Sequence, residues 1–151
     1  MSESIMKMIK ILSLSLLLIS LSALGQELPT AENAWLRAAP PNAKMLAAYV
    51  QLQNNSDQTI SLIGAQSDLF HMTEIHLTVE VDGVFKMREQ KSLAIAAGET
   101  LLMEPGGLHI MLMMPQTSLE LGQMVDITLV YETEDGDQIE QSLPFEVKKE
   151  R

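Results

Sequence analysis

From Asn33 onward, apolar and polar residues alternate with a period of two rather than 3.6, and turn-forming clusters interrupt the alternation every several residues. Successive side chains of an extended strand point to opposite faces, so this pattern buries one face of a sheet and makes no amphipathic helix. Strands are predicted over Asn33–Ala38, Met45–Gln53, Thr59–Ala65, Thr73–Val81, Val84–Gln90, Leu93–Ala96, Thr100–Met103, His109–Met114, Val125–Glu132 and Gln138–Val147. Pro40-Pro41-Asn42, Asn54-Asn55-Ser56-Asp57, Asp82-Gly83, Ala97-Gly98, Pro105-Gly106-Gly107 and Asp135-Gly136 reverse the chain between them. Many short strands around one core imply an all-β, two-sheet antiparallel sandwich. Ser118–Gly122 is expected to be a short helical or irregular bridge. Pro144, which has no N–H to donate, is expected at an edge or bulge.

The N-terminus does not share the pattern. Lys7 and Lys10 precede Ile11–Leu24, an apolar run diluted with serine. It is shorter than the roughly 20 apolar residues that span a bilayer, and Ala23-Leu24-Gly25 offers the small residues a signal peptidase reads. Residues 1–25 are therefore expected to be a signal peptide cleaved after Gly25, leaving a single domain, 26–151, in the periplasm and outside the membrane. No cysteine follows the apolar run, so no lipid-bearing thiol is expected. The whole chain carries a net charge of −10, and loss of a leader with Lys7, Lys10 and Glu3 makes the remainder slightly more acidic. Such a surface repels nucleic acid and anionic lipid and attracts a cation or a basic protein patch.

The chain has no cysteine, 11 methionines and 3 histidines. His76 is followed eleven positions on by Met87, twenty-two further by His109, and then by Met111. Imidazole with thioether suits Cu(I), whereas Mg, Ca and Mn prefer oxygen and zinc sites usually add thiolate or carboxylate. A blue-copper centre is disfavoured because its thiolate is missing. If Asp82-Gly83 is a two-residue hairpin loop, Val81 faces Val84 and Thr78 faces Met87. His76 then shares that face and lies diagonally from Met87, roughly 7–8 Å away at the backbone. His109 and Met111, two apart on a strand, also share a face, but spacing alone does not join the two pairs. Glu74 and Glu89 are candidates to orient the histidines. His71 and Met72 are candidates for an accessory Cu(II) set, although they read better as loop residues. Met113 continues the face of His109 and Met111. Pro105-Gly106-Gly107 reads as a tight turn into the His109 strand, because neither a lysine nor a helix follows it as a phosphate cradle requires.

The quartet, set within Glu74-Ile75-His76, Asp82-Gly83-Val84-Phe85-Lys86-Met87-Arg88 and Pro105-Gly106-Gly107-Leu108-His109-Ile110-Met111-Leu112, resembles the PCu(A)C family of periplasmic copper chaperones. That family's pattern is His, ten residues, Met, twenty-one residues, His-x-Met. The resemblance runs from about Trp35 to Val147. It implies a cupredoxin-like Greek-key β-sandwich that binds Cu(I) through His76, Met87, His109 and Met111 and passes it to respiratory oxidase copper centres. A thiol-bearing copper-transfer protein is a further expected acceptor, because a competing thiolate can enter a site of four neutral soft ligands stepwise. Leu77 stands where many members have Met, and Lys148-Lys149-Glu150-Arg151 replaces a Met/His-rich tail, so no tail-borne second site is expected. No Gly-x-Ser-x-Gly, cysteine nucleophile or His-Glu-x-x-His occurs, and the chain is not expected to be an enzyme. Copper storage or resistance, or an interaction module with incidental histidines, are the rival readings.

Overall fold

Asp82 and Gly83 both take left-handed backbone, φ 53° and 77°, the conformation by which a two-residue turn matches the twist of its flanking strands. In the computed structural model, which describes residues 27–149, this turn joins β4 (Phe70–Val81) to β5 (Val84–Glu89) with Val81 opposite Val84 and Thr78 opposite Met87, the predicted register. The other strands are β1 (Thr30–Arg37), β2 (Met45–Gln53), β3 (Ile60–Gln66), β6 (Leu93–Ile95), β7 (Thr100–Leu102), β8 (Leu108–Pro115), β9 (Met124–Thr133) and β10 (Gln138–Lys148). All ten predicted strands are present. Among the described residues, no helix is long and apolar enough to cross a membrane. The expected leader lies outside the described residues.

The strands follow the order β5-β4-β8-β2-β1-β10-β9-β3-β6, with β7 pairing β2. β1 joins the two halves, running antiparallel to β2 and parallel to β10, with a bulge between Glu32 and Trp35. The halves close over one core, to which β2 and β8 contribute Val50, Leu52, Ile110 and Leu112, and β3, β9 and β10 contribute Leu62, Ile127, Leu129 and Phe145. The result is the expected all-β sandwich. Pro144 pairs with Asp126 of β9, while β1 joins the other side of β10 only from Glu146 onward, so the proline occupies a locally open flank. Buried Asn54 ties the β2–β3 turn together, donating to the carbonyls of Gln58, Ile95 and Ala96 and accepting from Ser56.

One local expectation needs correction. β4 starts at Phe70 rather than Thr73, because β8 extends to Pro115 and gives Phe70 and Met72 partners in Pro115 and Met113. His71 and Met72 are therefore strand residues rather than loop residues. As neighbours on a strand they point to opposite faces and do not present one donor set. Of the two forms expected for Ser118–Gly122, the irregular one is observed, closed by a turn at Gly122, whose N–H bonds Val147 O.

β8 shows the period of two most usefully. Ile110 and Leu112 are fully buried in the core, so His109, Met111 and Met113 lie on the opposite, outer face of the β5-β4-β8-β2 half. His109 and Met111 are nonetheless only 4% and 7% exposed, which means that other side chains on that outer face cover them.

Candidate metal centre

Pairing of β4 with β8 places His76 opposite His109 and Glu74 opposite Met111. Facing residues share a side of the sheet, so the two donor pairs that sequence leaves separate are brought onto one face. The imidazole rings meet edge to face, with centroids 5.9 Å apart and planes inclined by 73°.

Each ring is held by one nitrogen. His109 Nδ1–H donates to Gly107 O at 3.1 Å, and His76 Nε2–H donates to Glu74 Oε2 at 2.6 Å. The remaining nitrogens, His76 Nδ1 and His109 Nε2, are buried without a hydrogen-bond partner. Buried polar atoms are rarely left unpaired, and in this tautomer each nitrogen keeps a free lone pair with which it could ligate a metal ion. Glu74, rather than Glu89, is thus the acidic residue that orients His76. Burial holds His109 below the usual imidazole pKa of 6.5; the Gly107 carbonyl opposes this, and the nearby positive charges of His76 and Arg37 add to it. His109 consequently stays neutral, and able to ligate, in more acidic solution than a free imidazole.

The turn before β8 supplies this geometry. Gly106 takes φ 85°, a conformation that favours glycine, and Gly107 N–H closes the turn onto Glu104 O at 3.0 Å. Gly107 O then accepts from both Thr78 N and His109 Nδ1. One carbonyl therefore sets the β4 pairing and the ring orientation together; the Pro-Gly-Gly sequence indicates the tight turn but not these two bonds.

Met87 is 57% exposed and Met111 is buried, yet both line one groove of about 310 Å³ with Arg37, Ala39, Met45, Leu46 and Ala47. Met45 is absent from the predicted quartet because nothing local in sequence places β2 beside β8. Leu77 follows His76 on β4 and so points to the opposite face. Among the described residues, no group of three or more His, Cys, Asp or Glu is arranged to hold a metal. The side chains that share this face with the two imidazoles include the thioethers of Met87 and Met111, donors that suit a soft metal.

If Glu74 orients the ring, Glu74→Ala should weaken metal binding about 10–100-fold, the usual effect of losing an outer hydrogen-bond partner. The fold should be unaffected, because the Glu74 side chain is 31% exposed. Competition titration alongside thermal melting checks this; unchanged affinity would remove Glu74 from the site.

Residues 30–145 match the family model described as "Putative lipoprotein LpqE-like". A putative lipoprotein of Leifsonia xyli subsp. xyli, Lxx21020, is 40% identical over 97 residues, which cover 64% of this chain and 57% of that protein. The chain spans about half the length of the curated relatives it matches. The solution structure of CuI-DR1885 from Deinococcus radiodurans is 33% identical, with a TM-score of 0.61, across 84% of this chain and 82% of that one. The copper-bound PCuAC domain from PmoF2, 22% identical, shares the fold at a TM-score of 0.64 over 85% of this chain and 97% of its own. With the family model matched across most of its length, this chain belongs to the LpqE-like family and carries the fold of the PCuAC domains.

Proposed function

We propose that this chain is a copper carrier that binds one Cu(I) through His76 Nδ1, His109 Nε2 and the thioethers of Met87 and Met111, and hands it to an acceptor outside the cytoplasm. The observation that carries this reading is the pair of facing histidines, each with one buried ring nitrogen unpartnered, beside a groove lined by Met87 and Met111. All four donors are neutral, so ligand softness rather than charge compensation selects the ion, and Cu(I) fits better than Zn(II). The CuI state named for DR1885, 33% identical to this chain, supports the same ion here.

Delivery follows from exposure and charge. Met87, at 57% exposed, is the donor an incoming ligand can displace first, and without an anionic sulfur the ion is held loosely enough for stepwise exchange with a thiolate partner. Respiratory oxidase copper centres are the acceptors that the PCu(A)C resemblance implies, and a thiol-bearing transfer protein is the acceptor that stepwise ligand exchange favours. Net charge −10 favours docking on a basic patch, with association slowing as salt rises. The predicted leader and the lipoprotein description of the family support export to the periplasm.

Anaerobic Cu(I) titration against a competing chelator, with X-ray absorption to identify ligands, tests the site. Nitrogen and sulfur scatterers are expected, and a spectrum without sulfur would exclude the proposed ligand set. Met87→Leu nearly preserves volume and should keep the fold while weakening binding; unchanged affinity would remove Met87. For delivery, copper-loaded protein is mixed with a soluble oxidase copper domain or a dithiol-bearing protein and the metal is followed by mass spectrometry. Retention against every acceptor would indicate storage.

A further inference from the structure

The outer face carries more thioether than one copper site uses. Met45 of β2 faces Met113 of β8, and Met113 faces Met72 of β4. These three methionines stand shoulder to shoulder across three adjacent strands on the side that bears His76, His109 and Met111. Met45 is 63% exposed, Met72 is 45% exposed and Met113 is half-buried. A methionine that fills a core is buried, so packing does not explain a row left open to solvent.

We propose that Met45, Met113 and Met72 form a second soft-metal site, a three-thioether seat for Cu(I) separate from the histidine pair. Neighbouring strands lie roughly 4.8 Å apart, so each outer methionine begins one strand spacing from Met113. Three flexible side-chain bonds let both sulfurs lean toward the centre. Thioether is the softest neutral donor a chain without cysteine can offer, and three of them with no nitrogen or oxygen ligand select Cu(I) or Ag(I) over divalent ions. The site is tied to the first. Met113 lies four residues along β8 from His109, roughly 13 Å at strand rise, with Met111 midway. Met45 also lines the groove that Met87 and Met111 share. Copper captured at the exposed row therefore has a thioether path through Met111 to the histidines, and the trio acts as a weaker entry station.

This proposal rests on register and exposure, not on the copper reading of the histidine pair, and its test dispenses with that pair. The full chain bearing His76→Ala and His109→Ala is titrated anaerobically with Ag(I), a redox-inert analogue of Cu(I), while methionine methyl resonances are followed by NMR. One equivalent should bind and shift the methyls of Met45, Met72 and Met113 together. In a chain with both histidines intact, Met72→Leu/Met113→Leu should lose the weaker equivalent, keep the tighter one and load that site more slowly. The trio is overturned if none of its methyls responds in the double-histidine variant, or if the double-leucine variant binds as many equivalents as the parent. Should the double-histidine variant fail to fold, the parent already loaded with one equivalent is titrated with a second, and the same three methyls must move. Binding that survives histidine removal but not the leucine substitutions would support the trio and overturn the histidine site instead.

Discussion

His76→Ala/His109→Ala should abolish tight copper binding and leave the β-sandwich folded. The two rings are the nitrogen donors of the proposed centre, and each is already oriented, His76 by Glu74 and His109 by Gly107 O. Losing an orienting partner costs 10–100-fold; losing both donors should exceed the upper end, which corresponds to more than about 2.8 kcal/mol of binding free energy. The fold has little at stake in these rings. Neither histidine belongs to the core cluster, and truncation also removes two buried nitrogens that lack a protein partner, offsetting part of the lost packing. The same reasoning predicts that the metal-free protein keeps its β-type circular dichroism, because a core of this size does not depend on an ion as small zinc modules do. Copper should then raise the melting temperature only by the mass-action increment of a native-state ligand. Chelator competition and circular dichroism on parent and variant check both halves. Parent-like affinity in the variant, or an apo protein that folds only when copper is added, would overturn them.

Much of this centre is legible before any coordinates because its two halves are local. Asp82-Gly83 dictates a turn type, the turn dictates register, and register places His76 and Met87 on one face. His109 and Met111 follow from the two-residue repeat of a strand. The meeting of the halves is not local. It depends on β4 pairing with β8, whose facing residues His76 and His109 are far apart in the chain, and many strand orders would satisfy the same alternation. Met45 escapes notice for the same reason, since β2 reaches the site only through the sheet order. The choice between Glu74 and Glu89 is also closed to sequence. Both lie on the histidine face, one two residues away along the strand and one directly across from it, and only side-chain placement selects Glu74. His71 and Met72 look like loop residues because the apolar alternation fades there; β8 nevertheless supplies partners that extend the strand through them.

The alternation along β8 yields the sharpest separation of stability from binding. Ile110 is fully buried in the core between the two halves of the sandwich, while Met111, the next residue, faces the groove. Ile110→Ala leaves a cavity that rigid neighbours such as Leu112 and the facing strands fill only in part, and should destabilise the protein by about 2–5 kcal/mol. Against a total stability of about 5–15 kcal/mol, that shift is plain in a urea titration. Met111→Leu conserves volume and should cost less than about 1.5 kcal/mol, yet it deletes the sulfur nearest the histidine pair along β8. The expected outcome is therefore crossed. The Ile110 variant, measured under conditions where it is folded, binds copper with nearly parental affinity and a lowered urea midpoint, whereas the Met111 variant keeps its midpoint and loses affinity. Urea unfolding and chelator competition on the two proteins decide it. If Met111→Leu retained full affinity, the thioether on β8 would not be a ligand, and the pairing of β4 with β8 would place a hydrophobic neighbour, not a donor, beside the two histidines.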